Sequence, residues 1–122
     1  MAVAIKRVYD APEASDGVRV LVDRLWPRGI SKERAELDEW AKDAAPSPEL
    51  RTEWHHAGPD RFDEFAARYR AELDGSPAAR ALLDVARAHD RVTLLFGARD
   101  PVRNHAAVLR DWLGEQGAAV EG

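Results

Sequence analysis

Two arginines and an aspartate follow the most apolar stretch of the chain, and their types and spacing fit the binding of an anion. The stretch, residues 18–26, is β-branched and apolar, and Asp23, Arg24 and Arg28 lie where it ends. An arginine presents a planar fork of N–H donors that suits phosphate or carboxylate, and Asp23 would orient one fork. The alternative is an Asp–Arg pair that only pins the turn, and both roles remain open.

The same segment, residues 23–29, carries two further candidate binding residues. Trp26 lies beside a proline at the strand end and could wall a pocket. Gly29 permits the positive φ that an abrupt turn requires. We therefore place both residues with Arg24 and Arg28 in the candidate binding set.

A second candidate loop, residues 97–101, lies between a buried strand and a helix start. The free N–H groups of a helix N-terminus favour an anion, and Arg99 is the freer cation of this loop. Asp100 is more simply the N-cap of the helix, and its carboxylate would then occupy the anion position itself. The loop has the spacing of neither a dinucleotide fingerprint nor a P-loop, so it contributes Arg99 and assigns no cofactor.

Asn104 and His105 fall in the first turns of the last predicted helix. His105 shares a stripe with Leu109 and Trp112, so it faces the body of the protein at the end nearest the two loops. A neutral imidazole there could act as a base or as a hydrogen-bond partner. We take His105 and Asp23 as the catalytic candidates and Asn104 as a binding residue. The alternative is a histidine that is satisfied in the core.

No metal site is predicted. The chain has no cysteine, which excludes a thiolate zinc site, an iron–sulfur cluster and a cysteine nucleophile. His55 and His56 are adjacent, so on a helix they diverge by about 100° and do not share one ion by spacing alone. His89 falls at a helix end and adds no ligand spacing.

Apolar periodicity predicts strands that alternate with helices, and these elements must position the candidate residues. The predicted strands are residues 4–10, 18–26 and 92–96; the predicted helices are residues 31–36 and 37–45, one from about 48, residues 59–73, one from about 77 to 89, and one from about 101 that Gly117 ends. Ser31, Ser47, Ser76 and Asp100 are the predicted N-caps, the last three directly before a proline.

Buried strands that alternate with helices indicate a layered α/β sheet, in which ligands bind at the carboxyl ends of parallel strands. We expect residues 18–25 and 92–96 to be adjacent or near-adjacent parallel strands, with helices on both faces. That arrangement would bring the loop after the first strand to His105. His105 would then lie within roughly 6 Å of an Arg24 or Arg28 side chain, or of a ligand they hold.

Length, composition and charge limit the class of protein. The 122 residues, 45% hydrophobic and 33% charged, fit one domain over 1–122. The net charge of −4 argues against a nucleic-acid surface. No apolar run approaches the ~20 residues of a membrane span, and the start has no signal-peptide pattern. We expect a cytoplasmic protein that binds neither nucleic acid nor membrane.

Four segments together resemble the short, YeaO-like branch of the domain of unknown function 488 family. They are IKRVYD, SDGVRVLVDRLWPRGISKERAELDEW, APSPELR, and TLLFGARD followed by NHAAVL, and they cover about residues 5–113. The resemblance implies a three-layer, Rossmann-like α/β domain with a small, mainly parallel sheet flanked by helices, and no settled activity. It also implies that residues 37–45 are an extended strand, whereas propensity predicts a helix.

The longer members of that family carry cysteines and a Cys-His-Arg triplet after the last strand. This chain has Gly97, Asn104, His105 and Ala106 in that region, so their thiol or metal chemistry does not carry over. The positions that match the branch's motif are Asp23, Arg24, Pro27, Arg28, Gly29, Asn104 and His105.

Two functions remain open from the sequence. The first is a site for an anionic or phosphate-bearing small molecule at the carboxyl ends of the strands, with acid–base or transfer chemistry through His105 if the protein is an enzyme. The alternative is a non-catalytic interaction module that grips an acidic peptide or partner protein with the same arginines. A concave pocket lined by both loops would favour the first, and a flat exposed loop the second.

Overall fold

A five-stranded sheet with all strands parallel lies at the centre of the protein, whose computed structural model describes residues 2–120. The strands are β1 (Ala2–Arg7), β2 (Val18–Leu21), β3 (Glu39–Trp40), β4 (Arg91–Phe96) and β5 (Ala119–Val120), in the spatial order β3-β2-β4-β1-β5. Parallel neighbours need crossover connections. About half of the chain between the strands is α-helical, in α1 (Lys32–Ala35), α2 (Pro48–His56), α3 (Phe62–Asp74), α4 (Pro77–Ala88) and α5 (His105–Glu115).

The two faces of the sheet carry layers of unequal thickness. The larger core joins one sheet face to α2, α3, α4 and α5, and includes Val20, Leu94, Tyr69 and Leu109. On the other face a smaller cluster joins Leu21 and Leu95 to Ala35 of α1 and to the segment before it. The three-layer α/β prediction is confirmed, although one outer layer has only a four-residue helix and a 3₁₀ turn, Ala14–Asp16.

The two most apolar strands, β2 and β4, are parallel neighbours, as predicted, with Val18 opposite Val92 and Leu21 opposite Leu95. Strand β2 ends at Leu21 and not at residue 26. The Val22 N–H still donates to the Leu95 carbonyl at 3.0 Å, after which the chain turns away. The predicted strand 4–10 likewise ends early, because the chain turns back through a bond from the Asp10 N–H to the Arg7 carbonyl.

The predicted helix over residues 37–45 is wrong. The segment contains β3 and a 3₁₀ turn, Lys42–Ala44, so the resemblance was the better guide. The Asp38 N–H donates to the Arg19 carbonyl at 2.9 Å, and the Ala41 N–H donates to the Leu21 carbonyl at 2.8 Å. These bonds satisfy the open edge of β2, and pairing of a buried strand outweighs a weak helix propensity.

The serine caps are confirmed. The hydroxyl oxygens of Ser31, Ser47 and Ser76 accept the backbone N–H groups of the residues three positions later, at 3.1, 3.2 and 3.1 Å. Helices α2 and α4 begin at the prolines that follow Ser47 and Ser76, where the missing N–H of proline costs nothing.

The predicted start of the last helix at residue 101 is wrong, because two side chains, Asp100 and Asn104, each cap a different turn. Asp100 Oδ1 accepts the N–H groups of Val102 and Arg103 at 2.9 and 3.0 Å and closes a turn, which lowers the pKa of Asp100. The buried Asn104 is the N-cap of α5, since its Oδ1 accepts the Ala107 N–H at 2.8 Å. The helix therefore begins at His105.

Replacing Ser76 with alanine is expected to lower the free energy of unfolding by about 1 kcal/mol, because the Ala79 N–H loses its acceptor. Ser76→Gly is the matched control and should cost only a few tenths of a kcal/mol, since glycine leaves that N–H open to water. Urea denaturation of the three proteins measures both values. A Ser76→Ala loss below a few tenths of a kcal/mol would show that the hydroxyl does not stabilise α4.

The helices are short. The longest of those described, α3, has 13 residues, and no helix within residues 2–120 is long and apolar enough to cross a membrane. The assignment of residues 1–122 to one domain stays a prediction.

Candidate functional site

The loops that follow β1, β2 and β4, residues 8–13, 22–31 and 97–104, lie side by side at the carboxyl edge of the sheet, and we call them the carboxyl-edge loops. The Gly97 N–H donates to Asp23 Oδ2 at 2.9 Å, which joins the second loop to the third. The Tyr9 hydroxyl donates to the Arg28 carbonyl at 2.7 Å, which joins the first loop to the second. Candidate residues that are far apart in sequence therefore share one edge.

Asp23 and His105 form a half-buried pair at this edge. His105 Nε2 lies 3.0 Å from Asp23 Oδ1 and 3.1 Å from the Val22 carbonyl oxygen. Both neighbours are acceptors, so Nε2 carries the proton in either charge state of the ring. The Nε2–H is aligned with the Val22 carbonyl, and the approach to Asp23 is a close electrostatic contact.

An aspartate that orients a histidine is half of a nucleophilic triad, which also needs a nucleophile within hydrogen-bond reach of the histidine. The hydroxyl-bearing ring nearest to His105, that of Tyr69, has its centroid 6.5 Å away. Tyr69 donates its hydroxyl to the Ala44 carbonyl, and burial raises the pKa of Tyr69. The visible effect of the Asp23–His105 pair is to tie two loops to the start of α5, and its catalytic role stays a prediction.

Arg24 binds the segment after β3. Its Nε–H donates to the Pro46 carbonyl at 3.0 Å and its Nη2 to the Ala45 carbonyl at 3.4 Å. Nη1 lies 3.8 Å from Asp43 Oδ1, an exposed and loose ion pair. The predicted proximity of His105 to Arg24 or Arg28 stays a prediction, and the charged group placed against His105 is Asp23.

Trp26 and Gly29 shape the loop after β2. The Trp26 indole N–H donates to the Ile30 carbonyl at 2.8 Å, and the Trp26 ring meets the Trp40 ring edge-on at 5.4 Å. Gly29 has φ of 77°, a value that glycine adopts without strain. Trp26 thus closes the loop between its own position and residue 30, and Arg28 is held at the exposed tip.

The remaining candidates, Arg28, Arg99 and Asn104, differ in whether their side chains form hydrogen bonds within the protein. The Arg28 and Arg99 side chains are exposed and make no hydrogen bond, ion pair or ring contact within residues 2–120. Asn104 is buried, and its Nδ2 donates to the Asp100 carbonyl at 2.9 Å while its Oδ1 caps α5. Of these three residues, only Arg28 and Arg99 have side chains that a partner could bind without breaking an existing hydrogen bond. The binding roles of Arg28, Arg99 and Asn104 stay predictions.

Arg7 belongs to the same edge, although it is not among the site residues predicted from the sequence. Its Nε–H donates to the Ala98 carbonyl at 2.9 Å, and its guanidinium lies 5.0 Å from the centroid of the Tyr9 ring. The signal was present, because Arg7 interrupts the apolar alternation at the end of β1. We call Arg7, Arg28 and Arg99 the arginine cluster.

Three large apolar residues are exposed among the described residues, and all three follow or end strands at the carboxyl edge. Leu25, Trp40 and Val102 are 57%, 38% and 71% exposed, respectively. Leu25 is in the loop after β2, Trp40 ends β3, and Val102 is in the loop after β4. We call these residues the apolar trio; Leu25 shares its loop with Arg28, and Val102 shares its loop with Arg99.

The carboxyl edge carries no assembled metal site. In the part of the chain that the structure describes, no three His, Asp or Glu side chains are placed to hold one ion. His55 and His56 contact each other edge-on, with ring centroids 5.6 Å apart. The expectation of no metal stays a prediction, since it concerns the protein in solution.

A small parallel sheet with packed layers on both faces defines a Rossmann-like α/β protein. At its carboxyl edge, within residues 2–120, the Asp23–His105 pair has no nucleophile in hydrogen-bond contact. The chain belongs to the family described as the inactive DUF488-N3 subclade, which matches residues 2–121. The resemblance stated from the sequence is therefore confirmed.

The curated relatives of this chain match it over most of both lengths. The uncharacterised protein YeaO of Escherichia coli (strain K12) is 47% identical over 114 residues, 93% of this chain and 97% of YeaO. The uncharacterised protein Rv3073c of Mycobacterium tuberculosis (strain H37Rv) is 50% identical over 111 residues, 91% of this chain and 92% of that protein. No solved structure gives a significant match.

Proposed function

We propose that the chain is a non-catalytic interaction module that binds an acidic segment of a partner protein at the carboxyl edge. The observation that carries the proposal is that the exposed arginines, Arg28 and Arg99, share their loops with two of the apolar trio, Leu25 and Val102, respectively. Tryptophan and arginine are enriched among the residues that dominate protein interfaces. An acidic partner with apolar side chains complements both features.

Two of the three carboxyl-edge loops, those after β2 and β4, carry a charge opposite to that of the whole chain, whose net charge is −4. Residues 22–31 and 97–104 together hold four arginines and two aspartates. Both aspartates already accept backbone N–H groups, Asp23 from Gly97 and Asp100 from Val102 and Arg103. A local basic surface on an acidic protein steers acidic partners to that surface.

The pockets of the molecule give less support to an anionic small molecule. One pocket, of about 340 Å³, is lined by Arg24 together with Asp43 and Glu72. Another, of about 220 Å³, is lined by Lys42 together with Glu39 and Asp43. In each pocket acidic groups outnumber the basic one, so an anion is repelled, and neither pocket is lined by Arg28, Arg99 or His105.

The family description also favours a role without catalysis, since it reads "inactive". The pair Asp23–His105 then serves to hold the loops after β2 and β4 together. This role is consistent with the contacts of Asp23, which reach both Gly97 and His105. Acid–base or transfer chemistry through His105 is the weaker hypothesis.

The double variant Arg28→Gln/Arg99→Gln is expected to weaken binding of acidic peptides at least about tenfold, because hydrogen bonds to charged groups are worth about 1.5–3 kcal/mol. The measurement is fluorescence anisotropy with an array of short peptides that vary independently in Asp/Glu and Leu/Trp content. Affinity should rise with both contents and fall with added salt.

The matched control is Arg51→Gln, which removes one exposed arginine from α2, outside the carboxyl-edge loops. Arg28→Lys should also weaken binding while leaving the free energy of unfolding nearly unchanged, because lysine keeps the charge and loses the planar fork. Equal affinity for acidic and basic peptides, or unchanged affinity of the double variant, would overturn the proposal.

A further inference from the structure

We infer that the arginine cluster, Arg7 with Arg28 and Arg99, is a site for a phosphate group carried on a side chain of the partner. The inference rests on the proposed function, because it names the acidic group that the carboxyl edge holds. It adds Arg7, and it changes the expected ligand from any acidic segment to a phosphorylated one.

A continuous series of contacts joins the three arginines. Tyr9 connects two of them, because its ring lies under the Arg7 guanidinium and its hydroxyl donates to the Arg28 carbonyl. Ala98 connects the third, because its carbonyl accepts the Arg7 Nε–H and it directly precedes Arg99. The three side chains therefore start from backbone positions that are fixed relative to one another.

Arg7 is the preorganised member of the cluster. Its Nε–H is held at 2.9 Å by the Ala98 carbonyl and its plane is held by the Tyr9 ring, while both Nη groups lack a hydrogen-bond partner within residues 2–120. A guanidinium that is already positioned loses less side-chain entropy on binding than a free one. Arg28 and Arg99, exposed on flanking loops, complete the site by closing on the bound group.

Three guanidinium groups suit a phosphate better than a carboxylate. One bidentate arginine satisfies the two oxygens of a carboxylate. A phosphorylated side chain carries a charge of about −1.5 to −2 and three acceptor oxygens, and arginine clusters are a recurring solution for holding it. The cluster also keeps an excess of positive charge when the acids around it are counted.

The acidic residues of the carboxyl-edge loops are Asp10, Glu13, Asp23 and Asp100. Glu13 is already paired with Lys6, whose Nζ lies 2.9 Å from Glu13 Oε1. Asp10 is exposed beside Tyr9 and is the carboxylate in the loop after β1 that a phosphate would approach. Asp23 and Asp100 hold backbone N–H groups with carboxylate oxygens, so part of their charge is already compensated. The guanidinium groups thus outweigh the carboxylates open to a ligand.

The test compares three short peptides of Glu, Asp and Leu that differ only at one central position: serine, phosphoserine or glutamate. With the full chain, the phosphoserine peptide should bind at least about tenfold more tightly than the serine peptide. The glutamate peptide should fall between them. In ¹⁵N-labelled protein, the phosphoserine peptide should shift the amide signals of Tyr9, Ala98 and Arg99.

The variant Arg7→Gln should remove the preference for phosphoserine, so that the phosphoserine and serine peptides bind this variant with affinities within about twofold of each other. Because Arg7 also supports Ala98, Arg7→Lys is a second variant that keeps the charge and loses the fork. Its folded state is checked from the dispersion of the amide spectrum. Arg51→Gln is the control and should keep the full preference.

The outcomes separate this inference from the proposed function. Equal binding of the serine and phosphoserine peptides would overturn the phosphate site and leave the acidic module standing. If none of the acidic peptides binds, the proposed function itself fails. If free phosphoserine or inorganic phosphate binds as tightly as the peptide, the group comes from a small molecule, which overturns the assignment to a partner side chain.

Discussion

Replacing Gly17 with alanine is expected to lower the free energy of unfolding by about 3 kcal/mol, one of the two largest effects expected in this protein. Gly17 joins the 3₁₀ turn Ala14–Asp16 to β2 with φ of 66°. A Cβ atom there would lie 2.3 Å from the Arg91 carbonyl oxygen. The obstacle is backbone at the start of β4, so no change of side-chain rotamer relieves the clash.

Gly29→Ala and Gly75→Ala separate the two causes of that loss. Gly29 also has positive φ, 77°, but a Cβ there would meet no atom within 4 Å, so only the backbone penalty of about 1 kcal/mol remains. Gly75 has an ordinary φ and open space, so alanine should change the free energy of unfolding by less than about 0.5 kcal/mol. Equal losses for Gly17→Ala and Gly29→Ala in urea denaturation would contradict the close approach of β2 and β4.

The sequence predicted those parts of the fold that a local pattern of residue types indicates. Residues 18–22 and 92–96 are apolar at every position except Arg19 and Thr93, because both faces of β2 and β4 are covered. The caps Ser47 and Ser76 could be recognised because each precedes a proline and acts within three residues. Such signals need no knowledge of the rest of the chain.

The parts that could not be predicted depend on contacts between distant segments. Residues 39–40 form a strand because they pair with the open edge of β2. No residue type or spacing within residues 37–45 indicates that this edge is available for pairing. The start of α5 was misplaced for a local reason, because Asp100 and Asn104 can both cap and the sequence does not rank them.

The candidate site likewise contains residues that the sequence predicted and residues whose positions depend on distant contacts. Asp23 and His105 were singled out by residue type and by their places at a strand end and a helix start, and their contact follows from the adjacency of β2 and β4. Arg7 was not predicted as a site residue because its hydrogen-bond partner, Ala98, is 91 positions away in the sequence. The direction of the Arg24 side chain is a matter of rotamer and of the carbonyls at residues 45 and 46, which sequence patterns do not encode.

A buried ion network on the thin face of the sheet was also missed. Asp16 accepts hydrogen bonds from Lys6 and Arg19, and the side chains of these three residues are 7%, 14% and 6% exposed. The turn is further fixed by the Thr93 hydroxyl, which donates to the Asp16 carbonyl at 2.7 Å. The signal was a charged residue inside each of two apolar strands, Lys6 and Arg19, since buried charges require a partner.

Replacing Asp16 with asparagine is expected to lower the free energy of unfolding by about 3 kcal/mol at neutral pH, because Arg19 and Lys6 lose their shared counter-charge in a buried position. Glu13, which is exposed, compensates only Lys6. Urea denaturation at pH 7 measures the loss, and Asp63→Asn, at an exposed position on α3, is the matched control with an expected change below about 0.5 kcal/mol.

The loss caused by Asp16→Asn should depend on pH in one direction. Burial alone would raise the pKa of Asp16, but the Glu13 N–H, Lys6 and Arg19 outweigh it and hold that pKa below its usual 3.8. A group with a lowered pKa in the folded state stabilises the fold above its unfolded pKa and ceases to do so as the pH falls through the folded pKa. The difference between the two proteins should therefore be constant from pH 7 to about 5 and shrink below pH 4. A difference that stays constant down to pH 2, or grows there, would show that the Asp16 carboxylate charge is not what stabilises the turn.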